Sequence, residues 1–122
     1  MKPKILVVDD EPDTVLLMTR LLEPEGYHVI TAGDGEEGLH KIYTERPRIV
    51  LLDIILPKKD GYEVCQEIKS KGGFGDTVII MFTVKIFVKD RERGFAVGAD
   101  YYLTKPFSGL SLIALIKNIL GE

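Results

Sequence analysis

Five short apolar runs alternate strictly with five helix-patterned stretches along this chain, and that alternation leaves few folds open. Lys4 to Val8, His28 to Ala32, Arg48 to Leu52, Val78 to Phe82 and Tyr101 to Thr104 are short and rich in branched or aromatic residues, so they read as strands. Helices are expected from Pro12-Asp13 to a stop near Gly26, then over Glu36 to Glu45, Tyr62 to Lys71, Asp90 to Val97 and Ser108 to Leu120. Such alternation predicts a parallel sheet with helices on both faces, an α/β fold. The unbroken run Ile49-Val50-Leu51-Leu52 suits a strand buried on both faces, hence a central one. The 122 residues, 45% of them apolar, suit one domain with one real core. Inward helix positions are read as Val15, Leu16, Met18, Thr19 and Leu22, then Leu39, Ile42 and Tyr43, then Val64, Cys65 and Ile68.

Each apolar run is followed by a polar residue, and a parallel sheet gathers those residues on one edge. Strand one runs into Asp9-Asp10-Glu11, strand three into Asp53, strand four into Thr83 and strand five into Lys105. Open α/β sheets bind ligands at this carboxyl edge. Converging carboxylates repel one another unless a cation joins them. Oxygen donors alone suit Mg²⁺, which keeps waters and leaves room for a phosphate. Thr83 and Lys105 would then meet the remaining phosphate oxygens. The set reads as a site for phosphoryl transfer to a carboxylate.

The segments ILVVDDEP, LLDIILPKKDG, IIMFT and GADYYLTKPF, in that order, resemble the receiver domains of two-component response regulators, and the resemblance covers the whole chain. It implies a flavodoxin-like sheet of strand order 2-1-3-4-5. By the same resemblance Asp53 is the phosphoacceptor, Asp10 a direct Mg²⁺ ligand, and Asp9 a ligand acting mainly through water. The backbone carbonyl of Ile55 would add a metal contact, and Thr83 and Lys105 would bind the phosphoryl group. Tyr102 matches the switch aromatic that turns inward with Thr83, and Lys105-Pro106 matches a cis peptide. The implied donor is a sensor histidine kinase or a phosphotransfer protein. The implied output is a changed surface of helix four, strand five and helix five, read by an effector or by a second copy of the chain. The expected organisation is a single receiver domain over residues 1–122 with no effector domain.

Other readings of the same residues are weaker. Gly33-Asp34-Gly35-Glu36-Glu37-Gly38 fits the dinucleotide fingerprint and opens a helix after a strand. It follows the second strand, however, and its three acids would stand where a pyrophosphate must sit. An aspartyl-phosphate phosphatase would want its nucleophile on the first strand with a second aspartate two places on, where this chain has Glu11. A pseudo-receiver would lack one of the acids, the threonine or the lysine, and all are present. Cys65 is the only cysteine and falls at a core position, so neither a disulfide nor a zinc site is expected. A net charge of −3 gives no general attraction to nucleic acid or anionic membrane. No apolar run reaches the roughly 18 residues of a membrane span. A cytoplasmic location is the expectation.

Two surface features stay open at this level. After Thr83 the chain carries Val84, Ile86, Phe87 and Val88. Ile86 to Val88 either fold onto the sheet or form an apolar patch on the face of helix four, strand five and helix five, and Val84 is large for a residue beside the path of Tyr102. In the last helix, Leu112, Ile113, Ile116, Ile119 and Leu120 form a core stripe that leaves Leu115 outside and Leu110 marginal.

Overall fold

A computed structural model describes residues 2–122. In chain order the elements are β1 Lys4–Val8, α1 Pro12–Leu22, β2 His28–Ala32, α2 Gly35–Glu45, β3 Ile49–Leu52, α3 Gly61–Lys71, β4 Val78–Thr83, α4 Val88–Ala96, β5 Tyr101–Thr104 and α5 Gly109–Leu120. All strand pairs are parallel and the order is β2-β1-β3-β4-β5. A short 3₁₀ turn, Glu23–Glu25, finishes α1, and Gly26 leaves it in the left-handed conformation at φ 95°.

The period of two along each strand splits the core into two layers. Leu6, Val8, Val50, Leu52, Ile79 and Met81 face α2, α3 and α4. Ile5, Val7, Ile49, Leu51, Ile80 and Phe82 face α1 and α5. Every residue of β3 is buried, as its unbroken apolar run requires. Cys65 is buried in the first layer, where burial pushes its thiol up to about 12, so it stays a protonated core residue.

The starts of α2, α3 and α5 carry side-chain caps. Asp34 accepts from the Glu37 amide at 2.8 Å, and Glu37 returns to the Gly33 amide at 2.7 Å. Asp60 and Glu63 form a capping box on α3, and Ser108 caps α5. The fingerprint glycines have packing roles instead. A Cβ on Gly38 would stand 2.9 Å from Val8, and one on Gly35 would stand 1.9 Å from the Lys59 carbonyl oxygen. Amides that a pyrophosphate would need are already taken: those of Gly33 and Glu37 by carboxylates of the same turn, and that of Gly35 by the Pro57 carbonyl.

Three expectations about faces and ends need correcting. Leu16 is not inward: it is 48% exposed, and α1 buries Met18 and Leu22 with Leu21 half-buried. Val15, Leu16 and Thr19 instead line an open groove of about 530 Å³ against Val29 and Thr31, because β2 is the edge strand and nothing among the described residues covers that side. Leu115 is not outside the core stripe of α5 but half-buried against the same cluster as Ile113 and Ile119. Finally, α4 begins at Val88, before Asp90, with an N-cap at Phe87 that makes no side-chain bond.

Candidate functional site

Sheet hydrogen bonding continues past the strand ends and fixes the polar residues there. The Asp9 amide donates to Ala32, the Asp53 amide to Val8 and the Lys105 amide to Thr83, at 3.0, 3.0 and 2.8 Å. These backbone bonds carry the ladders onward, so the first residue after each strand is placed by the sheet and not by a loose loop. Asp9, Asp53 and Thr83 are buried and Asp10 is exposed.

The Lys105 ammonium lies between the two buried acids, 2.7 Å from Asp9 Oδ2 and 3.1 Å from Asp53 Oδ2. Glu11 Oε1 is 3.9 Å away, and the ring of Phe82 lies under the ammonium at 4.8 Å. The Lys105–Pro106 peptide is cis. One oxygen each from Asp9, Asp10 and Asp53 falls within a 4.8 Å span. The ammonium contacts two of these three carboxylates, Asp9 and Asp53, so the cluster keeps surplus negative charge on oxygen donors only. That donor set fits a hard divalent cation such as Mg²⁺.

Burial raises the pKa of Asp53; Lys105 opposes the shift and Asp9 adds to it. For Lys105, burial pulls downward, but its bonds and charge contacts with Asp9 and Asp53 prevail and raise it. Asp53 Oδ1 also accepts from the Ile55 amide at 3.3 Å, while the Ile55 side chain is half-exposed at the rim.

The neighbouring threonine and tyrosine form a second group. Thr83 Oγ1 accepts from the Lys85 amide at 3.4 Å. Tyr102 lies inside, 4% exposed, and its hydroxyl donates to the Lys85 carbonyl at 2.9 Å. Val84 does not block that position, since its side chain points outward and is exposed. Burial, with Tyr62 and Asp90 nearby, pushes the Tyr102 phenol up to about 12, so it stays a donor. Ile86, Phe87 and Val88 do not fold onto the sheet; each is about 70% exposed, at 70, 67 and 71%.

All seven residues expected at the site lie at this edge or on the segments next to it. Three contributors escaped the sequence reading. Glu11 closes the acidic rim, and its position after two aspartates was the available signal. Gly61 lies directly on the loop, where a Cβ would stand 2.3 Å from the Asp53 carbonyl oxygen. Tyr62 bonds the Asp90 carbonyl through its hydroxyl at 3.1 Å, and nothing in the pattern distinguished it from an ordinary core aromatic.

A doubly wound parallel sheet with buried acids, a threonine and a lysine at its carboxyl edge is the frame of a phosphorylation-controlled signalling domain. Residues 5–117 match the response regulator receiver domain family, and the chain belongs to it. It is 48% identical over 120 residues to the alkaline phosphatase synthesis transcriptional regulatory protein PhoP of Bacillus subtilis, covering 98% of this chain and 49% of that protein. It is 46% identical over 119 residues to the probable transcriptional regulator ycf27 of Guillardia theta, covering 98% and 46%. The chain thus spans about half the length of these curated relatives. Among solved structures, a beryllofluoride-activated DrrB receiver domain matches with TM-score 0.89 and 34% identity over 100% of both chains. A two-component response regulator from Clostridium difficile matches with TM-score 0.92 and 28% identity over 99% of this chain and 98% of that one. The chain is thus a receiver domain of two-component signalling, and its acidic pocket is compatible with Mg²⁺ and a phosphoaspartate. Among the described residues no helix is long and apolar enough to cross a membrane.

Proposed function

We propose that Asp53 is the phosphoacceptor and that the chain catalyses only its own phosphorylation and dephosphorylation. The observation that carries this reading is the Lys105 ammonium spanning Asp9 and Asp53 in a buried oxygen-rich pocket beside Thr83. One Asp53 oxygen attacks phosphorus in line. An O–P bond forms while the P–N bond of a phosphohistidine breaks and the imidazole leaves; with acetyl phosphate, acetate leaves instead. Lys105 follows the charge from the carboxylate onto the phosphoryl oxygens, so catalysis is positioning and electrostatics. Thr83 donates its hydroxyl to a phosphoryl oxygen, which alters its contact with Lys85 and, through Lys85, the hold on Tyr102. Asp9, Asp10, Asp53 and the Ile55 carbonyl are the oxygen donors that would hold Mg²⁺. When bound, the ion neutralises charge on the transferring group.

The phosphoryl donor in this reading is a sensor histidine kinase or a phosphotransfer protein, met in the cytoplasm. The output runs through the face of α4, β5 and α5, where Ile86, Phe87, Val88 and Leu110 are exposed. That face would bind an effector or a second copy of the chain, with no direct role for nucleic acid. Residues 1–122 act as one receiver unit, which the single five-stranded sheet favours.

Intact-mass spectrometry after acetyl phosphate and Mg²⁺ tests the proposal. The wild type should gain one phosphoryl group and Asp53→Asn none. Wild type that gains none would make the chain a pseudo-receiver, and steady turnover of a phosphate ester would make it a phosphatase.

A further inference from the structure

We propose that Tyr62 is a second positioning residue of the switch, whose hydroxyl latches the first turn of α4 to the phosphoacceptor loop by a route that bypasses Thr83. The inference rests on the phosphoacceptor reading of Asp53. The route begins at Gly61, whose amide donates to the Ile54 carbonyl at 2.8 Å and whose Cα lies against the Asp53 carbonyl. The start of α3 is therefore fitted directly onto the loop that carries Asp53, and no side chain stands between them.

Tyr62 is the next residue. It is 3% exposed, and the Arg93 guanidinium of α4 lies over its ring at 4.1 Å. A buried hydroxyl is costly unless it is hydrogen-bonded. The Tyr62 hydroxyl meets that need by donating to the Asp90 carbonyl, in the first turn of α4, at 3.1 Å. Asp90 also faces the Lys85 ammonium at 3.8 Å. Thr83 and Tyr102 reach the same segment from the other side: Thr83 Oγ1 accepts from the Lys85 amide, and the Tyr102 hydroxyl donates to the Lys85 carbonyl. Residues 85–90 are thus held twice, once from β4 and β5 and once from α3.

A phenylalanine would fill the same space in the core, so packing does not call for the hydroxyl. The bond to Asp90 joins two elements and exists only while α4 stands where it does here. It is lost if the first turn moves, which leaves a buried phenol without that partner. Tyr62 therefore weights the equilibrium toward the arrangement with Tyr102 inside, the one that phosphorylation favours in the reading above. By linkage, whatever weakens that arrangement weakens binding of a phosphoryl mimic at Asp53 by the same factor.

The test is a beryllofluoride titration with Mg²⁺ of wild type and Tyr62→Phe, followed by amide NMR signals of Thr83 and Tyr102. Urea unfolding and hydrogen exchange over residues 85–96 are measured on both proteins. One lost hydrogen bond corresponds to an affinity up to about fivefold lower, with faster exchange in that segment. A role in packing alone would lower the stability of free and bound protein equally and leave the affinity unchanged. Equal or higher affinity in Tyr62→Phe, with wild type binding normally, overturns the latch and leaves the site reading intact. Wild type that ignores beryllofluoride overturns the site reading and the latch with it.

Discussion

Asp53 stands where its neutral form is favoured: burial and the nearby Asp9 carboxylate outweigh Lys105. A carboxyl whose pKa is raised by folding binds protons more tightly in the native state than in the unfolded one. Its ionised form at neutral pH therefore costs stability, and the cost disappears as pH falls through the raised value toward the ordinary 3.8. Asp53→Asn should abolish phosphorylation and, in chelator, stabilise the fold at pH 7. The gain should shrink steadily as the pH is lowered, which urea unfolding across pH measures. At the rim, the Ile55 side chain is apolar and half-exposed beside the carboxylate it would shield from water. An asparagine there could orient an attacking water, so Ile55→Asn should speed loss of the phosphoryl group by about tenfold. Loss of radiolabel over time checks it, and an unchanged or slower rate counts against shielding. Much of this site was legible because a parallel sheet turns strand-end identity into position. Asp9, Asp53, Thr83 and Lys105 needed only the run lengths before them. Gly61 and Tyr62 were not legible, because their roles arise from contacts between segments that no local period encodes.

Elements were read well where one face meets a core and poorly where it meets an edge. The inward positions of α3 were correct because Val64, Cys65 and Ile68 face one continuous layer. In α1 the pattern placed Leu16 inward, yet β2 ends the sheet and leaves that side open. The early start of α4 was missed because Phe87 offers no capping side chain to mark it. The packing of α4 carries its own prediction. Gly94 faces the inward ring so closely that a Cβ would stand 2.9 Å from Tyr102 Cδ2 and 3.0 Å from Met81 Sδ. Both neighbours are in the core, so room is gained most readily by moving the Tyr102 ring out. Gly94→Ala should expose Tyr102 and lower apparent beryllofluoride affinity by about tenfold, since overpacking costs at least 1 kcal/mol. Near-ultraviolet dichroism and the same titration measure both effects. A ring that stays inside with full affinity would show that α4 yields instead.

On the scale of the whole molecule, the site and the apolar surface share one edge of the sheet. The carboxyl edge holds the charge, and the connection from β4 into α4, which leaves that edge, carries Val84, Ile86, Phe87 and Val88 exposed. Ile86, Phe87 and Val88 follow Thr83 and Lys85, so the patch hangs on the segment that Thr83 and Tyr102 hold. Leu110, at the start of α5, is 81% exposed. Three successive exposed apolar residues, as at Ile86 to Val88, mark a contact surface. The surface is thus joined to the site by short covalent and hydrogen-bonded steps, and its arrangement depends on whether Tyr102 is inside. A second copy of the chain presents the same patch, and a two-fold contact is self-complementary. Sedimentation with and without beryllofluoride should show a monomer that shifts toward dimer on activation. The variant Phe87→Ser with Leu110→Lys should stay monomeric in both states. Leu110 is the position to charge, because Leu115 packs on the core and a lysine there would confound contact with folding. Wild type that is monomeric in both states rules out self-association through this face and leaves a different protein as its partner. A variant that dimerises like wild type moves the contact elsewhere on the molecule.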